Sequence, residues 1–254
     1  MVQPKNILIT GVAGFIGFHL WQKLNAGNSV VGIDNLANFS NYNIKLKRLE
    51  QLNFDTNKLS ISSNYTAQGF NFWHTDLNNT SLIKKILKDN KIDLVVHLAA
   101  ATGVRQSITH PEIYTEANIL GFNNLIEAMH QAGVNNLIYA SSSSVYGNDT
   151  PAPFKENASC NNPLSYYAVT KKNNELTAQS YASNYDMNII GLRFFTVYGP
   201  WGRPDMANYK FIDAIMNNKP FKLFNYGKFV RDFTYVDDIV KSISLLIDKM
   251  KKGN

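Results

Sequence analysis

With 254 residues, 44% hydrophobic and 17% charged, the chain can bury the core of one large domain with a small appended lobe. It holds no run near the roughly 20 apolar residues that cross a bilayer and no secretory pattern, so no membrane role is expected and the cytoplasm is the expected location. A single cysteine, Cys160, rules out an internal disulfide, five scattered histidines offer no metal-ligand spacing, and a net charge of +6 on dispersed lysines suits an anionic small substrate better than nucleic acid.

Apolar runs and helical patterns alternate along the chain, as in a parallel, doubly wound α/β sheet. Asn6–Thr10 reads as a buried strand. A glycine-bearing turn follows, then a helix with Phe15, Ile16, His19, Leu20 and Leu24 on related faces, ending at Gly27. Ser29–Asp34 is the second strand. Residues 35–69, rich in Asn, Ser and Lys around Ile44, Leu46, Leu49 and Leu52, read as a surface excursion. Phe70–His74 resumes the alternation as a strand, followed by a helix over 81–90 and a buried strand over 93–98. A long helix over 115–132 carries Ile119, Phe122, Leu125, Ile126 and Met129 and closes at Gly133. A strand over 137–140, a helix over 165–184 and a strand over 188–194 come next. After Gly199-Pro200 the pattern loosens into short strands (221–225, 231–236) and helices (208–217, 238–250). The spacing predicts a dinucleotide-binding domain over 1–195 and a partial substrate lobe over 196–254.

Two groups of residues carry chemistry. Gly11-Val12-Ala13-Gly14-Phe15-Ile16-Gly17 lies between the first strand and the first helix. Gly11 permits the tight turn, Gly14 lets a pyrophosphate approach the backbone, and Gly17 allows close helix–sheet packing. Asp34 closes the second strand near the spacing of about 20 residues at which an acid binds the adenosine ribose. An acid there repels a 2′-phosphate, so NAD is the expected cofactor; the bland alternative is an ordinary turn residue. The second group is Tyr167-Ala168-Val169-Thr170-Lys171: residues four apart share a helix face, so phenol and ammonium point into one space. A nearby cation pulls a phenol down from its usual value near 10, toward use as a base. Of 13 tyrosines, only Tyr167 has a lysine four residues on, and its helix follows the strand that ends in Ser141-Ser142-Ser143-Ser144. A solvated Tyr/Lys face, with serines capping local backbone, is the alternative.

At these residues the chain resembles the extended short-chain dehydrogenase/reductase family, and within it the NAD-dependent nucleotide-sugar epimerases, UDP-glucuronate 4-epimerases in particular. Further markers are His97-Leu98-Ala99-Ala100 with Gly103-Val104-Arg105, Ser141 through Gly147, Leu192 through Met206, and Arg231 through Asp238. The resemblance implies a Rossmann-type doubly wound sheet that binds NAD. It implies Ser142, Tyr167 and Lys171 as the catalytic residues. Tyr167 would take the C4 hydroxyl proton, Lys171 would hold the nicotinamide ribose, and Ser142 would bridge to the same hydroxyl. Gly11, Gly14, Phe15, Ile16, Gly17, Asp34, Asn35, Asp76, Leu77, Leu98, Ala99 and Ala100 would complete the cofactor site, with Asp76 at the adenine. Arg105, Ser142, Ser143, Ser144, Thr196, Arg203 and Arg231 would face a UDP-sugar, Arg231 at the diphosphate.

Related dehydratases and decarboxylases place acids where this chain has Ser143 and Ser144, so the resemblance favours epimerisation of a uronic acid. UDP-glucose or UDP-N-acetylglucosamine is the second expectation. The chain stops at Asn254, before family members usually end, which leaves a third: an NAD-binding protein with an incomplete sugar pocket. A homodimer built on the helices at 115–132 and 165–184 is also expected, with no metal, nucleic acid or membrane partner.

Overall fold

The structure, a computed structural model, describes residues 5–24, 27–37, 42–67, 69–228 and 230–250. One sheet holds β1 (Asn6–Thr10), β2 (Ser29–Asp34), β3 (Ser63–Ala67), β4 (Phe70–His74), β5 (Leu94–His97), β6 (Asn136–Ser142) and β7 (Asn188–Phe194). Their order is β3-β4-β2-β1-β5-β6-β7, parallel throughout except for β3 against β4. The continuous apolar runs of β1 and β5 arise because helices cover both faces. On one face α1 (Phe15–Leu24) and α9 (Val236–Lys249) bring Phe18, Leu20, Val240 and Ile243 onto Ile7 and Ile9. On the other, α3 (Thr80–Asp89) and α6 (Gly121–Ala132) set Ile83, Ile86, Leu125 and Met129 against Leu8, Val95 and Leu137.

β1 has β2 on one side and β5 on the other. The chain therefore reverses its direction of winding there, and the crevice beyond the carboxyl ends of these strands is where such sheets bind ligands. The doubly wound α/β fold matches the sequence reading, and the bounds of β1, β2, β4 and β7 coincide with the expected ones.

Several elements differ. The excursion over 35–69 is more than surface: it contributes β3 and α2 (Tyr42–Gln51), which buries Lys45, Arg48 and Leu49. The helix expected over 115–132 begins as a π-helical turn at Thr115–Leu120, after short α4 (Gln106–Thr109) and α5 (Pro111–Tyr114). Buried Asn118 sits in this turn and binds the Ala101 amide at 2.7 Å, the Ala101 carbonyl at 3.0 Å and the Thr170 hydroxyl at 3.0 Å. Accordingly α7 (Tyr166–Tyr185) buries the polar side chains of Thr170, Lys171 and Asn174 along with Ala168 and Ala178. No strand forms over 221–225, where residues 221–223 are loop with Phe221 and Leu223 exposed and without a paired neighbour strand.

Past residue 195 the chain divides. β8 (Thr196–Tyr198) and β9 (Phe233–Tyr235) pair in parallel as a separate ribbon, α8 (Ala207–Met216) lies between them in sequence, and α9 returns to the core.

Candidate active site

The turn after β1 is built on backbone that admits no side chains. Gly11 has φ +73°, and a Cβ on it would come within 2.7–2.9 Å of the Leu98–Ala99 backbone after β5. A Cβ on Gly14 would sit 2.8 Å from the Gly11 carbonyl oxygen, and one on Gly17 would collide with the same oxygen. Gly17 thus lets α1 settle onto the turn itself, rather than onto the sheet as expected. Thr10 ties the two loops together: its Oγ1 lies 2.7 Å from His97 Nδ1 and accepts the Ala99 amide at 3.3 Å. Burial, helped by nearby Lys171, pushes His97 down to about 3, so it is a neutral strut.

Asp34 ends β2 beside this turn, buried. Its carboxylate accepts the Ala13 amide at 3.1 Å, the Leu36 amide at 2.8 Å and the Lys45 ammonium at 3.1 Å. Lys45 and Arg48 went unread in the sequence. Arg48 donates to the Ala13 carbonyl at 2.8 Å and the Trp201 carbonyl at 2.5 Å, and burial lowers it to about 10. The signal for both was their three-residue spacing on the face that Leu49 and Leu52 continue. At the rim, Asn35 donates to Asp76 at 2.6 Å, and Asp76 also accepts the Asn78 amide at 2.8 Å.

Ser165 caps α7 by accepting the Ala168 amide at 3.1 Å, which sets Tyr167 and Lys171 on its first two turns. Lys171 is 2% exposed, donates to the Ala140 carbonyl at 2.8 Å, and is pushed down to about 8 by burial. Burial raises the Tyr167 phenol; a hydrogen bond from Ser142 and the Arg203 charge oppose it. The expected helper, Lys171, spends its ammonium on β6 instead. Ser142 Oγ accepts the Ser144 amide at 3.2 Å and the Ser144 hydroxyl at 2.9 Å. Behind this group, Ser141 donates to Glu175 at 2.7 Å, and Arg193 holds both Glu175 oxygens at 2.8 and 2.9 Å. Lys171 and Glu175, four residues apart on α7, thereby grip Ala140 and Ser141 of β6.

On the opposite wall Arg203 binds the Thr102 hydroxyl and forms a fork onto Asp205 at 3.0 and 2.5 Å. One cavity of about 1780 Å³ joins these parts, and every site residue named from the sequence lines it, including Phe15, Ile16, Leu77, Ala100, Arg105, Ser143, Thr196 and Arg231. That exceeds the roughly 300–1,000 Å³ of a single small-ligand pocket and suits two ligands end to end. Among the described residues no His/Cys/Asp/Glu cluster could hold a metal, and no helix is long and apolar enough to cross a membrane.

Comparison with known proteins fits this geometry. The family model described as the NAD dependent epimerase/dehydratase family matches residues 7–254. The protein CapI of Staphylococcus aureus is 45% identical over 249 residues, covering 98% of this chain and 71% of CapI. The UDP-glucuronate 4-epimerase of Thermodesulfobacterium geofontis is 42% identical over 92% of this chain and 69% of its own. Among solved structures, the UDP-glucuronic acid 4-epimerase of Bacillus cereus, in complex with UDP-glucuronic acid and NAD, superposes with a TM-score of 0.85 at 37% identity, over 98% of this chain and 74% of that one.

Proposed function

This chain belongs to the NAD dependent epimerase/dehydratase family, and from that premise we propose that it inverts C4 of a UDP-sugar, UDP-glucuronate foremost, with NAD as a recycled cofactor. The carrying observation is that Ser142, Tyr167 and Lys171 line one cavity with a glycine turn bare enough to seat a pyrophosphate.

The residues present fit NAD. The Gly11–Gly17 cradle would be filled by any Cβ, and Asp34 with Asn35 and Asp76 would meet the adenosine end. Leu77, Leu98, Ala99 and Ala100 would wall it, and Lys171 would reach the nicotinamide ribose. When bound, NAD supplies the group that accepts a hydride from C4 and returns it. The protein supplies the proton chemistry: Tyr167 would take the proton of the C4 hydroxyl and give it back, while Ser142 holds that hydroxyl in line. Inversion requires the 4-keto sugar to turn over within the cavity, and its volume leaves room for that. Ser143, Ser144 and Thr196 offer hydroxyls for a substrate carboxylate and no acid for dehydration or decarboxylation. Arg105, Arg203 and Arg231 would answer the anionic groups of the UDP-sugar.

Exposed Leu120, Val169 and Leu176 on the π turn and α7 support a homodimer through these helices. The one cysteine, free and buried, suits a reducing cytoplasm. The test is turnover: NAD-loaded protein is incubated with UDP-glucuronate, UDP-glucose and UDP-N-acetylglucosamine, and the C4 epimers are resolved by NMR. UDP-galacturonate is the expected product. Conversion of only the neutral sugars would move the substrate assignment, and NAD binding without any turnover would leave a binding protein.

A further inference from the structure

Residues 199–203 form a tight turn that ends at Arg203 on the substrate side of the cavity. It is stapled from several directions. The Tyr209 hydroxyl donates to the Gly199 carbonyl at 2.5 Å and accepts the Gly202 amide at 2.8 Å. His19 Nε2 on α1 lies 2.9 Å from the Pro200 carbonyl, and Phe18 meets the Trp201 ring edge-on at 5.9 Å. Trp201 itself is held at φ +59°, a conformation that persists only where surroundings enforce it.

A further staple reaches the dinucleotide side. Ala13 in the glycine turn donates its amide to Asp34, and its carbonyl, in the next peptide unit, accepts Nη1 of Arg48. Nη2 of the same guanidinium donates to the Trp201 carbonyl, two residues before Arg203. A planar fork with fixed spacing therefore links a peptide of the cofactor turn to a peptide of the substrate turn. It is also an expensive link, since Arg48 is 2% exposed and its Nε has no hydrogen-bond partner. A linkage of this cost earns its place through geometry that an apolar side chain cannot transmit.

We propose that Arg48 is a positioning residue that couples occupancy of the dinucleotide turn to the set of the 199–203 turn, and so to Arg203. The idea rests on the reading that NAD seats on the glycine turn. With Asp34 and the turn amides engaged by a dinucleotide, the backbone on both sides of Ala13 is fixed, its carbonyl holds Arg48, and the Trp201 carbonyl is held in turn. Coupling of this kind is reciprocal, so a ligand on Arg203 strengthens cofactor binding by the same factor.

The test is hydrogen–deuterium exchange of the full chain, read at residues 199–206, with and without saturating NAD. In the wild type NAD slows exchange there on the order of tenfold. In Arg48→Met the NAD-induced change falls below about twofold, with saturation verified calorimetrically. Arg48→Lys, whose ammonium lacks the planar fork, falls between. His19→Ala removes a staple to α1 alone and keeps the NAD response. The ratio of UDP affinities with and without NAD shrinks in parallel. Equal NAD-induced protection in the wild type and Arg48→Met overturns the proposal, as does NAD binding to the wild type with no change at 199–206. Protection without epimerisation would spare this coupling and sink the functional reading; epimerisation without protection would do the reverse.

Discussion

Replacing Arg193 by methionine keeps the alkyl stem and deletes the planar group behind the serine strand. That group donates to both Glu175 oxygens at 2.8 and 2.9 Å and to the Glu156 carbonyl at 3.2 Å, and lies 4.8 Å from the centre of the Tyr146 ring. Without it Glu175 retains the Ser141 hydroxyl and a looser Lys172 at 3.9 Å. Removing one partner of a buried pair costs about 3–5 kcal/mol. Here the side chains keep 19% and 15% exposure, so water solvates the orphan in part, and about 2–3 kcal/mol is expected. In a chain of this size that lowers Tm by about 4–12 °C, read by circular dichroism at pH 7. Adding Glu175→Gln removes the orphaned charge and restores about half of the loss. The pH dependence has a definite sign. Burial pushes the Glu175 carboxyl up, but its bonds to Arg193 and Ser141 win and leave it below the usual 4.5. Such a group stabilises above its unfolded value and loses that contribution as pH falls through the folded one. The gap between the wild type and Arg193→Met therefore narrows below pH 4.5. A gap under about 0.5 kcal/mol at pH 7, or a double variant no more stable than the single one, refutes the reasoning.

Tyr167→Phe removes the acid/base hydroxyl and lowers kcat by about 10²–10⁴-fold. NAD affinity stays within about twofold, and retained turnover would take Tyr167 out of its role. Gly17→Ala drives a methyl into the Gly11 carbonyl and weakens NAD binding by more than about tenfold; unchanged calorimetric affinity would show that the turn can yield. Lys171, pushed by burial to about 8 from 10.5, binds fewer protons folded than unfolded between those values. The wild type therefore gains stability from this group as pH rises from 8 to 10.5, while Lys171→Met does not. Urea unfolding at pH 7.5 and 9.5 reads the difference, and parallel responses would remove the burial argument.

The strands of the dinucleotide half were legible because each is a short apolar run bounded by polar or glycine turns, and a parallel sheet buries both of its faces. The site motifs were legible for a related reason: Gly11, Asp34 and Tyr167 each sit at the carboxyl end of a strand or on the first turn of the helix that follows. What stayed hidden depends on partners distant in sequence. Lys45 and Arg48 looked like solvated cations in a polar stretch until Asp34 and two carbonyls were set around them. The π turn at Thr115–Leu120 has no periodicity of its own, because Asn118 aims at Ala101 and Thr170 across the fold. Residues 221–225 show the opposite failure, in which an apolar pattern finds no neighbouring strand and forms a loop that runs into the 3-10 turn Phe224–Gly227.

Tyr167 illustrates why the pair of residues alone does not define the chemistry. The Tyr-x-x-x-Lys spacing put phenol and ammonium on one face, and the natural inference was that the cation lowers the phenol. In the folded protein Lys171 points its charge at the Ala140 carbonyl, and burial raises Tyr167. Ser142 opposes that rise, and so does Arg203, whose charge is largely cancelled by Asp205. The protein's own groups therefore keep the phenol protonated at neutral pH. On the proposed function, what would make it a base arrives with the ligands: the positive nicotinamide, a ribose that draws Lys171 off Ala140, or a substrate anion that draws Arg203 off Asp205. Because Ser142 and Tyr167 already face one cavity, the loaded site has charge to adjust and little geometry. On the proposed function, either ligand would therefore favour the phenolate by shifting charge beside Tyr167.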